Sequence, residues 1–387
     1  MTGGASVPLA WRNLTADRGR LARSAAGIGF AVLLMFIQLG FREAFIDSSL
    51  ALPRALDGEL IVVSATKYRI GHNDTFPRRR LTQALAAEGV AEAAPVHAEW
   101  KRSVWKNPQT RESFTMQVLA FDPDRPVFAI PEIEAARHAL KMPDTVLMDS
   151  RGRRFLGEAE IGLETELARR EVKIVGTFPL GPDFTNDGTL ITSERTFFNL
   201  FPNLATGLAE TGRAEIGVIR LRPGADAARV KERLAAALPN DVVVLTKAEF
   251  VALERAFQNS VSPVGPIFAF GTLIGFAVGM LISYQIMFTD LSDHMPQYAT
   301  LKAIGYPNRY LVGVVLQQAA FYALAGFVPA IALAALVFWA VGEVALVPME
   351  MGAGLGLLCL ALTVGMCVLS GLIAVRRVLS ADPAEVF

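Results

Sequence analysis

Cysteine is almost missing from this 387-residue chain: only Cys359 and Cys367 occur, eight positions apart in one uncharged stretch. On a helix that spacing is about 12 Å by rise alone, too far for a disulfide. Histidine is equally thin, with His72, His97, His138 and His294 dispersed. No HExxH, GxSxG or paired-cysteine string exists, which removes the usual zinc hydrolase, serine hydrolase and zinc-knuckle chemistries. No lysine follows a glycine, so there is no Walker A loop and no P-loop ATP hydrolysis. Net charge is also absent, with 37 basic against 37 acidic residues interspersed. A nucleic-acid binder needs a basic face, and this balance argues against one.

The most informative absence is local. Residues 24–41, 256–289, 310–342 and 351–375 contain no Asp, Glu, Lys or Arg. These runs of 18, 34, 33 and 25 residues leave all 74 charges in the other 277 positions. A membrane helix needs about 20 apolar residues, so each run predicts a span. A secretory signal peptide is the rival for the first run. Signal cores reach only about 15 residues, which favours an uncleaved anchor. Basic residues near the span ends are Arg12, Arg18, Arg20 and Arg23, then Lys302 and Arg309, then Arg376 and Arg377. Their placement predicts both termini and the 290–309 loop on the cytoplasmic side, with 47–255 outside.

The expected organisation follows: a cytoplasmic lead-in helix over 1–23, spans over 24–46, 256–289, 310–342 and 351–377, a short outer loop 343–350 and a cytoplasmic tail 378–387. Between the first two spans the pattern changes to short apolar runs separated by Gly, Pro, Asn and Asp. Glu59–Ser64, Thr115–Phe121, Glu171–Phe178, Thr189–Thr192, Ile216–Leu221 and Asp241–Leu245 read as strands, and Arg78–Glu88 and Ala225–Ala237 as helices. The strand–helix–strand rhythm near each end predicts two halves of one subdomain, 47–124 and 213–255, around a β-rich insert, 125–212. The fold class is thus four membrane helices plus a large α+β extracytoplasmic domain. In it Trp100 and Trp105 read first as packing. The clusters Arg78, Arg79, Arg80 and Arg151, Arg153, Arg154 read first as solvated faces, with lipid phosphate contact the alternative.

The 290–309 loop carries the strongest local signal. Pro296 suits a first helical position, Lys302 the last turn, Gly305 a left-handed cap, and Pro307 stops continuation. One helix of about nine residues is predicted. Tyr298, Leu301 and Ile304, beside Ala299 and Ala303, give it apolar surface, either for its own span ends or for a cytoplasmic partner. In the second span Gly271, Gly275 and Gly279 form GxxxGxxxG, a close-packing stripe within the chain or across a dimer. The amides Gln38, Gln285, Gln317 and Gln318 are expected inside the bundle. No charge lies within a span, which counts against ion-coupled transport and implies energy from another subunit.

These residues resemble a known family. Leu9-Ala10-Trp11-Arg12-Asn13-Leu14, the Tyr298-to-Gly305 string with its Leu301-Lys302-Ala303-Ile304-Gly305 core, and the ending from Ser370 through Asp382-Pro383-Ala384-Glu385 are similar to FtsX-like and MacB-type ABC transporter permeases. Phe36 to Arg42, Trp105-Lys106-Asn107-Pro108 and Asp293-His294 look like the DevC branch. The resemblance implies a non-catalytic inner-membrane subunit that homodimerises in lipid. It implies a separate cytoplasmic ABC ATPase carrying ATP and Mg, with no cofactor on this chain and no nucleic acid. It also implies a periplasmic membrane fusion protein and, indirectly, a TolC-like outer-membrane protein. Pro296, Gln297, Tyr298, Leu301, Lys302, Ile304 and Gly305 become the ATPase-docking residues. The chain departs from MacB in having only 23 residues ahead of the first span, so no ATPase is fused there. It departs from the commoner pattern in carrying Gln297 where an acid stands. Export of a glycolipid or other amphiphile, or mechanical control of a periplasmic hydrolase without transport, are the two outputs the family allows.

Overall fold

The structure, a computed structural model, describes residues 18–100, 103–204, 212–345 and 349–380. The motifs over 9–14 and 382–385 and part of the 343–350 loop lie outside these residues. Packing divides the chain into two units, 1–43 with 264–341 and 349–387, and 44–263 with 342–348.

Helix α1, Arg18–Ser49, is unbroken because its core run is Ala-, Leu-, Met- and Phe-rich with no proline. It extends beyond the expected 24–46 at both ends. The Ser48 and Ser49 hydroxyls donate to the carbonyls of Phe45 and Ile46 (3.0 and 2.7 Å), and α2, Ala51–Ala55, follows.

The outer unit is built on one sheet of eleven strands and a small two-stranded one. Its elements in order are β1 (Leu60–Ser64), β2 (Phe76–Pro77), α3 (Arg79–Leu85), β3 (Val90–Glu99), β4 (Val104–Lys106), β5 (Ser113–Thr115) and β6 (Gln117–Phe121). Then come α4 (Pro131–Ala136), β7 (Thr145–Asp149), β8 (Glu164–Leu167), β9 (Arg170–Phe178), β10 (Thr189–Ser193) and α5 (Glu194–Leu200). The unit closes with β11 (Arg213–Ala214), β12 (Ile216–Leu221), α6 (Ala227–Ala237), β13 (Val242–Thr246) and α7 (Lys247–Ser260).

Strand order begins β13-β1-β12-β3, and every neighbouring pair in that set is antiparallel. β1 and β3 therefore run parallel with β12 between them, and β12 and β13 run parallel with β1 between them. The expected compact βαβ units are split βαβ units, each holding a strand of the other. Helices α3 and α6 explain the arrangement. Leu81 and Ala84 of one and Val230 and Leu234 of the other bury against Leu60, Val62, Ile219 and Val244, so one apolar sheet face serves both. The opposite face packs Ile61, Val63 and Val218 with Leu52, Leu56 and Phe250.

The expected division at 124/125 is corrected. The sheet continues β3-β6-β10-β7-β9-β8-β4-β5, which puts β4 and β5 beyond the insert strands. Trp105 joins them to the insert: it pairs with Leu167 across the β4–β8 ladder, and its indole N–H donates to the Leu156 carbonyl at 2.9 Å. The expected strand Thr115–Phe121 is interrupted at Met116, whose N–H turns away to the Ser103 carbonyl at 3.1 Å.

The bundle unit contains the remaining helices: α8 (Val264–Asp293), α9 (Met295–Ala303), α10 (Asn308–Ala345) and α11 (Ala353–Ser380). α1, α8, α10 and α11 are long and apolar enough to cross a membrane. The expected second span, 256–289, is shifted to Val264–Asp293. Residues up to Ser260 belong to α7, and Pro263, which has no N–H and disfavours helix at Ser262, separates the two. Ile267, Phe270, Leu273 and Leu281 of α8 and Val328, Leu336 and Trp339 of α10 are exposed. Such a continuous apolar surface suits hydrocarbon rather than water.

Candidate functional site

Helix α9 is bounded at both ends by local chemistry. α8 stops at Asp293, His294 leaves helical geometry, and its N–H and Nδ1 lie 3.3 and 2.8 Å from the Asp290 carbonyl. Pro296 occupies the second helical position rather than the expected first, where an N–H would equally lack a partner. At the other end Gly305 has φ +99°. The Gly305 N–H donates to the Lys302 carbonyl and the Tyr306 N–H to Leu301 (both 3.1 Å), which completes a Schellman cap. A non-glycine residue would be strained there.

The helix is two-faced, and its faces differ from expectation. Tyr298 is buried, and Met295 and Leu301 are half-buried, in the cluster built on Leu291, Leu311, Val314 and Val315, and Ala299 is buried as well. Tyr298 is thus a bundle residue, not part of an outward docking surface, and Leu301 is only partly available. Burial pushes the Tyr298 phenol up to about 12, Asp290 adding to the rise and Gln318 opposing it. It stays a neutral donor at any physiological pH. The outward edge consists of Pro296, Gln297, Thr300, Ile304 and Gly305, with Ile304 71% exposed. Lys302 is half-buried and engaged within the structure. Past the cap, Tyr306 and Tyr310 continue the exposed edge with ring centroids 4.8 Å apart.

A polar latch at the start of this segment was not foreseen. Arg20 of α1 reaches Asp293 at 2.8 Å and Asp290 at 3.4 Å, and Asp290 itself is buried. The end of α1 is therefore tied to the α8–α9 junction by a two-acid contact. Asp293-His294 was the only available signal, since an ion pair spanning 273 positions leaves no local pattern.

The glycine stripe packs inside the chain. A Cβ on Gly271 would meet Gln38, one on Gly275 would meet Met35, and one on Gly279 would meet Ala31 and Met366. The neighbours are α1 and α11, which accounts for all three glycines without a second copy. Of the four amides, Gln318 is buried and Gln38 half-buried as expected, while Gln285 and Gln317 are exposed.

Among the described residues no group of three His, Cys, Asp or Glu side chains could hold a metal. Trp100 and Trp105 are buried. Arg78 pairs with Glu194, Arg80 with Asp241 and Arg153 with Asp187 (2.7 to 2.9 Å), so these cations are spent inside the domain. Burial pushes Glu194 upward, yet His97 and Arg78 outweigh it and hold the carboxyl below its ordinary value.

The chain is similar in sequence and in structure to several known proteins. Residues 261–383 match the FtsX-like permease C-terminal domain. An uncharacterized ABC transporter permease of Mycobacterium tuberculosis, found in strains CDC 1551 / Oshkosh and ATCC 25618 / H37Rv, is 26% identical over 316 residues. That match covers 81% of this chain and 79% of the relative. Among solved structures, the periplasmic region of MacB from Actinobacillus actinomycetemcomitans is similar at 10% identity, TM-score 0.34, over 52% of this chain and 92% of that one. The extracellular domain of the noncanonic ABC-type transporter YknZ from Gram-positive bacteria aligns at 9% identity, TM-score 0.29, over 49% of this chain and 100% of that one.

Proposed function

We propose that the chain is an ABC transporter permease of the FtsX-like family, served by a partner ATPase, and that α9 is the element the ATPase grips. The observation that carries this reading is the exposed edge Pro296-Gln297-Thr300-Ile304 on a short helix fixed at both ends. Burying a side chain such as Ile304 contributes about 1.5–3 kcal/mol, which water withholds and a partner groove supplies. ATP and Mg belong to that partner, and this chain binds no cofactor. Both termini face the same cytoplasmic side of the inner membrane, as the basic span ends favour.

Force then has a defined route. A push on α9 reaches α1 through Asp293 and Arg20, and α1 continues as one helix to Ser49. The absence of charge from the four apolar runs supports motion rather than ion flow as the energy source. In the fuller reading the permease works as a homodimer with a periplasmic fusion protein and a TolC-like duct, as a DevC-type exporter of an amphiphile. Mechanical control of a periplasmic hydrolase is the alternative output.

The test is co-purification of the full chain with its ABC ATPase. Ile304→Asp is expected to reduce captured ATPase at least about tenfold, the loss of ~1.4 kcal/mol or more from a buried apolar contact. Gly305→Pro should do the same by destroying the cap. Full binding and export by both variants would end the docking role of α9. Reconstituted export of a labelled amphiphile separates a transporter from a regulator, which would hydrolyse ATP without moving cargo.

A further inference from the structure

Within the outer unit a cavity of about 80 Å³ is walled by Ser48 and Ser49, the loop after β1, the loop before β10, and α7. The sheet supplies a further side. Side chains alternate along β6, so Gln117 shares a face with Leu119 and Phe121. Those two enter the core with Leu52 and Phe250, and Gln117 ends the row at the cavity, opposite Thr189 of β10 in register. Helix α7 fixes the facing wall. The Ile70 N–H and the Gln258 side-chain amide both donate to the Glu254 carboxylate at 2.8 Å. The neighbouring Arg69 guanidinium lies over the Phe257 ring, 5.4 Å from its centroid.

Two donors on these walls lack an acceptor. Gln117 is 4% exposed, and its Nε2 is buried with no hydrogen-bond partner among the described residues. The same is true of the buried Nε of Arg69. The nearby acids do not answer them. Glu254 is held by Ile70 and Gln258, and Asp183 accepts from the backbone and side chains of Thr185 and Asn186 in its own loop. A buried donor left unmatched is costly, so both call for acceptor atoms within the cavity. Charge narrows the choice. Arg69, Glu254 and Asp183 are the charged groups on the walls, one cation against two acids. Burial pushes the Glu254 carboxyl upward, and protonating it would bring the sum only to zero. Neither state attracts a free anion. Volume narrows it further: a water needs roughly 10–15 Å³ of such space, so the cavity suits a molecule of about five to seven heavy atoms.

We propose that this cavity binds a small zwitterion, an α-amino acid the size of glycine or alanine. Its carboxylate accepts from Arg69 Nε and Gln117 Nε2, one oxygen to each, and its ammonium turns toward the Glu254 carboxylate. A zwitterion supplies the two missing acceptors without adding net charge to walls that carry no positive surplus. Charge-assisted contacts at both of its ends are stronger than those of a neutral molecule of the same size. Ser48 and Ser49 end α1, and α7 is followed in the chain by α8, so two walls belong to segments that lead to spans. The inference does not depend on the docking role of α9.

Equilibrium dialysis of the full chain in lipid nanodiscs with radiolabelled alanine tests it. Retention should saturate at millimolar alanine or below, and glycine should compete. Acetate, ethylamine and inorganic phosphate at the same concentration should not. Gln117→Leu and Arg69→Met should each weaken retention by about tenfold or more, the scale of a lost charge-assisted hydrogen bond. Arg233→Gln, on the exposed side of α6, should change nothing. Competition by acetate or phosphate as strong as that by glycine would mark a free-anion site and overturn the proposal, and equal competition by ethylamine would do so by marking a cation site. Absence of saturable retention would leave water as the occupant and overturn it too, as would equal loss from Arg233→Gln. The competition on the unaltered chain needs no variant, so a folding defect in Gln117→Leu does not blunt the test.

Discussion

Trp105 and Trp339 occupy opposite environments in the two units. The first is 0% exposed, with its indole N–H on the Leu156 carbonyl, while the second is 67% exposed on α10. Trp105 is hidden and its polar atom satisfied, as the core of a domain in water requires. The bundle presents the same kind of residue outward, because hydrocarbon charges nothing for apolar contact. Exposure alone thus has opposite meanings in the two units. Trp105→Ala should destabilise the outer unit by about 3–5 kcal/mol, seen as earlier loss of sheet signal in urea and faster proteolysis. Trp339→Ala in lipid should fall within about 0.5 kcal/mol. Equal sensitivity of the two sites would break the contrast.

Buried charge sharpens it. In the outer unit the Lys67 ammonium and the Glu215 carboxylate are both buried at 3.1 Å, and Lys67 also donates to the His72 carbonyl at 2.7 Å. Within the bundle the comparable contact, Arg20 with Asp290 and Asp293, stands where helices leave the apolar zone. A domain in water tolerates a deep ion pair if both members are present. Lys67→Met strands Glu215 and should cost ~3 kcal/mol or more, whereas Lys67→Met with Glu215→Leu should recover most of it. Thermal unfolding of the single and double variants measures the difference. A double variant as weak as the single would show that packing, not charge, holds this site.

Within the bundle itself, close packing and open surface alternate along single helices. Gly279→Ala would set a methyl group 2.9 Å from Ala31 Cβ and 2.6 Å from Met366 Sδ. The methionine can yield, but Ala31 is part of α1 and cannot. The expected loss is about 1–3 kcal/mol. Gly365→Ala meets nothing within 4 Å and should stabilise α11 by ~0.5–1 kcal/mol through helix propensity. Detergent thermal melts that moved both variants the same way would mean the stripe is not a packing seam.

What could be read from residues alone follows the same physics. The spans were legible because missing charge is a local property, and the bounds of α9 were legible because Pro296 and Gly305 act on their own backbone. The inward face of Tyr298 was not, since a nine-residue helix with apolar residues at several positions does not declare which side meets its own bundle. The Arg20 latch and the split βαβ pairing depend on residues far apart in sequence, and no periodicity encodes them. Pro263 was visible yet outweighed by the uncharged run around it, which placed the second span too early. Trp105 is buried at the junction of β4 with β8, a pairing that no neighbouring residue announces.

The smallest expected effect is on pH dependence, and it also separates the units. Burial pushes Glu215 up to about 7, against the downward pull of Lys67. Glu254 and Asp149 are raised by burial too. A carboxyl whose folded value lies above its unfolded value holds a proton in the folded state that the unfolded chain releases. Its stabilisation is complete below the unfolded value, about 4.5, and is lost as pH rises through about 7. Glu194 is shifted the other way and titrates below this window, so it does not cancel the trend. The outer unit should therefore unfold a few degrees lower at pH 8 than at pH 5.5, and Glu215→Gln should shrink that difference. The four uncharged runs contain no carboxyl to follow it. A melt in which sheet loss and helix loss shifted equally with pH would put the titrating groups outside the outer core. A melt in which only sheet loss shifted, and did so less in Glu215→Gln, would assign the effect to the Lys67–Glu215 site.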